Sequence, residues 1–403
     1  MTSPPLVQAS GARRHRTRWW LSALLVLLGT MAWSASCTPG FDPVSKINTL
    51  RVLSVTIDEP YIVMDLEGSP DDEREVTFRM TVVDTGLNDS GGSRPLQILW
   101  LGGCHNPLGD QFALCFDEIA AGLEGFNAET FNESGAGLGE ATELSSGVVV
   151  QADLASSEIS RGVPDAIEFT TVLPEDLIRS RERPSSGPYY GISYVFFAAC
   201  AGTLAPAPLE TPGGGQSFDF PLDCLDAEGN SLGSDSFLIG YTQVYAFEDR
   251  RDNENPPIDG IAFRFGDEGD FFGIAEGMTD IPTLPACPVD EDARREAGCG
   301  ANATEDCQTV QFQALIGDVA EFDAAETDLD GNALRETVWV TYFADGGELE
   351  PSLSLVSDAV QGYQSEFETE WIPPDVPGVY SIWAVVRDQR GGSNVVQRFV
   401  NVE

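Results

Sequence analysis

Apolar residues recur at every second position in several stretches of this chain, and a period of two suits an extended strand with one face buried. In EVTFRMTVV (75–83), Val76, Phe78, Met80 and Val82 fall on one side, and LRVLSVTI (50–57) alternates similarly. LQILWLGGC (96–104) is continuously apolar around Trp100, the pattern of a strand covered on both faces. YYGISYVFFAACAG (189–202), DSFLIGYTQVYAF (235–247), IAFRF (261–265) and TVQFQALIGD (309–318) read as further strands. DTGLNDSGGSRP (84–95) and TPGGGQS (211–217) supply turn-rich connectors. The expected fold is mostly β.

A chain of 403 residues is long for one sandwich, and its patterning divides it in two. Residues 47–250 read as an elaborated sandwich whose strand rhythm is interrupted by an insertion near 105–188. Within that insertion the sequence predicts short helices, one near 116–124 and one over LPEDLIRSRERP (173–184), stopped by Pro184. EDRRDNENPPIDG (248–260) is charged, proline-bearing and apolar-poor, and marks the junction. Residues 251–403 form the second unit, with a cysteine-bearing loop at 285–309.

The second unit ends in PGVYSIWAVVRDQRGGS (377–393) and VVQRFVNV (395–402). Pro377-Gly378 suits a tight turn, and Tyr380, Ile382, Ala384 and Val386 share a face. Asp388 with Gly391-Gly392 permits a hairpin reversal. This segment, with VWVTYFADGG (338–347), resembles the late strands of PKD and related bacterial immunoglobulin-like domains. The opening strands with Trp100 resemble the first strands of such domains. The resemblance implies two Ig-like or PKD-like β-sandwiches and says little about activity.

Residues 1–18 hold Arg13, Arg14, Arg16 and Arg18 and no acid, and WWLSALLVLLGTMAW (19–33) follows. A positive region, a short apolar core and a small-residue exit define a secretory signal, expected over 1–36. The core falls short of the roughly 20 residues of a comfortable membrane span. Ser34-Ala35-Ser36-Cys37 resembles the lipobox of bacterial lipoproteins, although Ser34 stands where that family prefers leucine. The resemblance implies lipidation of Cys37, a tether over 37–46 and a membrane held through the lipid, at the outer membrane or cell surface rather than the inner membrane. Ordinary signal cleavage is the alternative; it leaves Cys37 unmodified, lets the eight cysteines form four bridges and leaves the protein free.

In an exported chain the remaining cysteines are disulfide candidates: Cys104, Cys115, Cys200, Cys224, Cys287, Cys299 and Cys307. Short loops would be closed by Cys104 with Cys115, by Cys200 with Cys224, and by two of the last three; connectivity stays open. The formal net charge is −43. Removing residues 1–36 takes away four of the 22 basic residues and none of the 65 acidic ones, which moves the rest near −47. Such a chain repels phosphate backbones, and nucleic-acid partners are excluded.

Chemistry is sparse. Beyond the signal the sole histidine is His105, which leaves no base for a serine or cysteine triad and no partners for a zinc site. No nucleophile elbow, HExxH or phosphate loop occurs. Two facing carboxylates would still suffice for glycoside hydrolysis. Calcium is the one candidate cofactor. DLDGN sets Asp328, Asp330 and Asn332 at alternate positions behind Asp323 and Glu326, oxygen ligands that a hard cation takes. A polar turn is the competing reading. Asp267, Glu268 and Asp270 form a second, poorer set. Trp339, Tyr342, Trp371, Tyr380 and Trp383 lie either in the core or in a row for stacking polysaccharide, with the core favoured.

These readings converge on a non-catalytic cell-envelope lipoprotein acting as a binding, scaffold or adhesion module for an envelope protein or polysaccharide. The alternative is a carbohydrate-binding protein or a carboxylate-based glycosidase.

Overall fold

A computed structural model describes residues 43–64, 74–86, 94, 96–116, 141–144, 147–152, 167–207, 222–248, 253–266, 269–277, 279–291, 293–294, 307–327 and 333–403. Its N-terminal strands are β1 (Arg51–Ile57), β2 (Tyr61–Val63), β3 (Arg74–Val83), β4 (Leu96–His105), β5 (Ala141–Leu144), β6 (Gly147–Ala152), β7 (Ile167–Leu173), β8 (Tyr190–Cys200), β9 (Thr203–Pro206), β10 (Leu222–Leu225) and β11 (Phe237–Phe247). The C-terminal ones are β12 (Ile261–Phe265), β13 (Phe272–Gly273), β14 (Thr283–Leu284), β15 (Val310–Ala314), β16 (Phe322–Thr327), β17 (Ala333–Arg335), β18 (Val338–Ala344), β19 (Glu348–Glu350), β20 (Leu353–Asp358), β21 (Gly362–Tyr363), β22 (Thr369–Ile372), β23 (Gly378–Asp388) and β24 (Ser393–Val402). Two short 3-10 turns, Leu108–Asp110 and Phe112–Cys115, follow β4. The fold is mostly β, in sandwiches.

The first sandwich packs the sheet β1-β3-β7 on the sheet β2-β11-β8-β4-β6-β5. Val76, Phe78, Met80 and Val82 are all buried between them, facing Ile98, Trp100, Val195 and Phe197. The Trp100 ring stacks on Phe169 with centroids 5.7 Å apart. An aromatic side chain buried this way removes about 150–250 Å² from water. At about 25 cal/mol per Å² that stabilises by roughly 4–6 kcal/mol before chain entropy is counted. β4 is covered on both faces, as its unbroken apolar run predicts: Ile98 and Trp100 enter this core, while Leu99 and Leu101 enter a smaller one with Tyr194 and Phe196.

The inserted segment differs from its sequence reading. It contributes β5, β6 and β7, and β7 pairs antiparallel with β3 from Arg74↔Leu173 to Met80↔Ile167. Ile167, Phe169 and Leu173 enter the core, an alternation overshadowed by the Gly- and Ser-rich residues before it. Residues 174–181 form turns instead of the expected helix. Leu177 and Ile178 drop into the core, and Asn106 Nδ2 donates to Leu177 O (2.5 Å) and Ser180 Oγ (2.8 Å). A side chain thereby takes a carbonyl that a continuing helix would have used. Residues 117–124, where the other helix was expected, lie outside the described residues.

The second sandwich packs β13-β12-β15-β22-β19 on β14-β24-β23-β18-β20-β21. Ile382, Ala384 and Val386 of β23 point into its core with Val340, Tyr342, Phe312 and Trp371. Two of its buried aromatics have paired polar tips. Tyr342 Oη donates to Phe367 O (2.8 Å) and accepts from Ala314 N (2.9 Å), and Trp371 Nε1 donates to Gly346 O (2.9 Å). At the β23–β24 reversal Asp388 Oδ1 accepts from the backbone N–H groups of Arg390 and Gly392, each at 2.8 Å. Gly391 there has φ 94°, a conformation that glycine tolerates.

Disulfides join Cys104 to Cys115, Cys200 to Cys224 and Cys287 to Cys307, across sequence separations of 11, 24 and 20. Loops of this size stabilise by about 2–4 kcal/mol each through the unfolded chain. Among the described residues every cysteine is bridged; Cys37 and Cys299 lie outside them. Oxidised cysteines fit an extracytoplasmic protein.

A further apolar cluster joins the sandwiches: Ile47, Leu53 and Val83 pack on Trp383 and Val385, with Phe343 and Val395 beside them. Lys46 bridges to Ala344 at the end of β18. Ser54 Oγ lies 2.9 Å from Ser393 Oγ, and Asn255 both donates to Ile57 O (2.7 Å) and accepts from Ser393 N (2.9 Å). The apolar-poor 248–260 stretch thus supplies polar ties.

Candidate functional site

The outer face of the six-stranded sheet carries a run of aromatic rings. Along β11, Leu238, Val244 and Ala246 turn inward to the first core, which by the period of two sends Ile239, Tyr241, Gln243 and Tyr245 outward. Register then sets Tyr241 beside Phe196, Gln243 beside Tyr194, and Phe247 beside Tyr190. β2 adds Tyr61 beside Tyr245, with ring centroids 5.9 Å apart. Tyr190 meets Tyr245 at 5.6 Å, and Tyr194 meets Tyr241 at 5.8 Å. The loop after β4, closed by Cys104–Cys115, lays Phe112 on Tyr241 with centroids at 4.2 Å and planes 20° apart. Tyr241 remains 44 % and Phe112 36 % exposed.

Asp110 anchors this loop to the sheet. It holds a positive φ of 55° at the end of the first 3-10 turn. Tyr190 Oη donates to its carboxylate (Oδ2, 2.7 Å) and Tyr194 Oη to its carbonyl (2.8 Å). The Arg181 guanidinium pairs with Asp110 Oδ1 at 2.9 Å and lies 4.5 Å over the centroid of the Tyr190 ring. The hydrogen bond to Asp110, then burial, raises the Tyr190 hydroxyl above the ordinary tyrosine range. Burial raises Tyr245 and pushes Tyr194 up to about 12. These phenols are neutral at physiological pH and act as fixed hydrogen-bond donors and acceptors. Gln243 Nε2 donates to Tyr245 Oη at 3.1 Å.

The residues singled out from sequence fall elsewhere. His105 ends β4, where burial lowers its pKa despite the charge of Asp176, and its imidazole is neutral at physiological pH. Tyr342 and Trp371 are core, Trp383 is buried between the sandwiches, and Trp339 and Tyr380 are half-buried. Asp323 sits on β16; Asp328, Asp330 and Asn332 lie outside the described residues, as do Asp267 and Glu268. No group of three His, Cys, Asp or Glu side chains capable of holding a metal occurs among the described residues. The aromatic face went unread because Tyr190, Tyr194, Tyr241 and Tyr245 sit in stretches that look like ordinary strands. The usable signal was polar-tipped aromatics four residues apart in YTQVY and YGISY, an even spacing that puts both rings of a strand on one face.

No protein-family model matches the chain, and no curated protein matches it in sequence. Among solved structures it is similar to dimeric latent PorU from Porphyromonas gingivalis, at 9% identity and TM-score 0.18, covering 88% of this chain and 24% of that one. E. coli α2-macroglobulin gives 9% and 0.19, covering 92% of this chain and 18% of that one. The C-terminal domain of the Streptococcus agalactiae AgI/II polypeptide BspA gives 11% and 0.16, covering 87% and 100%. The chain therefore spans about a quarter of the first and under a fifth of the second. Likeness at these scores carries no argument about activity.

Proposed function

We propose that this protein is an exported, non-catalytic binding or scaffold module of the bacterial cell envelope, tethered by lipid at Cys37 and built of Ig-like or PKD-like sandwiches. The observation that carries the binding role is the aromatic face. Tyr241 and Phe112 are left exposed on a sheet braced by a disulfide and by Asp110. A stable protein gains by covering such rings, so their exposure on a rigid support favours a ligand. The tether rests on the 1–36 signal and its exit at Cys37.

The test has two arms. Intact mass of the membrane-extracted protein should show acyl chains on Cys37, and Cys37→Ser should release the protein from the membrane. The purified full chain should co-sediment with isolated envelope material, and Tyr241→Ala should weaken this. Failure of wild type to co-sediment, or indifference to Tyr241→Ala, defeats the binding role.

A further inference from the structure

The charge pattern of the aromatic face narrows what it takes. β8 and β11 each run for 11 residues without one Asp, Glu, Lys or Arg, and the three-residue edge strand β2 beside β11 has none either. This is unusual in a chain with 65 acidic and 22 basic residues. The loop laid across them, 105–116, adds one charge, Asp110, and Arg181 neutralises it at 2.9 Å. His105, where that loop leaves β4, is neutral, its pKa lowered by burial. Among the described residues the face is therefore a window without net charge, in a chain of formal net charge −43. Anionic ligands are repelled by the surroundings, and a basic polypeptide would be drawn to the acids around the window rather than to the window.

What the window offers is ring surface and neutral hydrogen-bonding groups. Tyr241 and Phe112 present apolar ring area; Gln243 and the hydroxyls of Tyr190 and Tyr245 present amide and phenol groups beside it. From Tyr241 to Tyr245 is four strand residues, about 14 Å at roughly 3.4 Å each, and Tyr61 continues the row one strand over, about 4.8 Å further. A row of rings with polar groups between matches a flat, uncharged polyol whose apolar C–H faces alternate with hydroxyls. Its span is that of a few sugar rings.

We infer that the face formed by Tyr241, Phe112, Gln243 and Tyr245 binds a chain of a neutral polysaccharide, whose sugar rings pack on the exposed ring surface of the stacked Tyr241–Phe112 pair. This rests on the binding-module reading above and names its ligand class.

Affinity electrophoresis tests it, with the full acylated chain in mild detergent run through native gels containing a neutral β-glucan, xylan or mannan, or anionic polygalacturonate. Retardation is expected in at least one neutral gel and not in polygalacturonate. Tyr241→Ala and Phe112→Ala should each weaken it by about tenfold or more, equivalent to roughly 1.4 kcal/mol, while Tyr241→Trp, which keeps a stacking ring, should hold it within about threefold. Both rings are exposed, so loss of ring area leaves the core intact; Tyr241→Trp guards against an unfolded variant. Absence of retardation in every neutral gel, equal retardation by polygalacturonate, or retardation unchanged in Tyr241→Ala each overturns the inference. Envelope co-sedimentation that depends on Tyr241 without any glycan retardation overturns the ligand class and leaves the binding-module reading standing.

Discussion

The side-chain amide of Asn253 donates to Asp388 Oδ2 across 3.0 Å, and both residues are buried. One comes from the stretch between the sandwiches, the other from the tight reversal between β23 and β24. The same carboxylate holds that reversal through Arg390 N and Gly392 N. One buried side chain thus shapes a turn and ties it to the connecting segment.

Asp388→Ala leaves two backbone donors and the Asn253 amide unpaired. A buried unsatisfied group costs about 1–3 kcal/mol, so the variant should lose on the order of 3 kcal/mol or more. Asp388→Asn keeps the Oδ1-type acceptor and should lose less. Urea midpoints of the two variants against wild type check the order; equal losses would mean the turn bonds contribute little.

Trp383 makes a different demand on the joint. Its neighbours Ile382 and Ala384 face the second core, but Trp383 faces Ile47, Leu53 and Val83 of the first sandwich. Trp383→Ala should cost about 3–5 kcal/mol at the joint while leaving each sandwich core intact. The expected outcome in calorimetry is a split of the melting transition, with the two sandwiches unfolding at separate temperatures. A single transition merely shifted downward would mean that the sandwiches stay coupled without Trp383.

Much of this fold was legible as period-two alternation. Val76 to Val82 and Tyr380 to Val386 face cores as their spacing predicts, and the two-faced burial of β4 follows from its unbroken apolar run. What escaped depends on contacts distant in sequence. β7 is recognisable only against β3, its partner roughly 90 residues away. The turns at 174–181 are set by Asn106, and no local propensity reports that. Trp383 and Ala384 look alike as strand residues, yet one seals a joint and the other fills a core. The aromatic face was hidden for the same reason: Phe112 meets Tyr241 only after the Cys104–Cys115 loop folds back over the sheet.

Glu336 carries a pH dependence of fixed sign. Its carboxylate is buried; Oε1 accepts from Glu321 N at 2.9 Å, and Oε2 lies 3.7 Å from Arg390 Nε. Burial, helped by the charge of Asp388 and opposed by the Glu321 N–H and Arg390, pushes its pKa from 4.5 up to about 7. Between these values the unfolded chain has lost the proton and the folded one retains it. Stability from this group is therefore full below about pH 4.5 and declines as pH rises toward 7, by on the order of 3 kcal/mol at most. Glu336→Gln keeps an acceptor for Glu321 N and cannot ionise, so it should flatten this part of the profile. The check is the difference in urea midpoint between wild type and Glu336→Gln from pH 4 to 8, which should shift in the variant's favour as pH rises. A constant difference across that range would mean that Glu336 ionises as freely in the folded protein as in the unfolded chain.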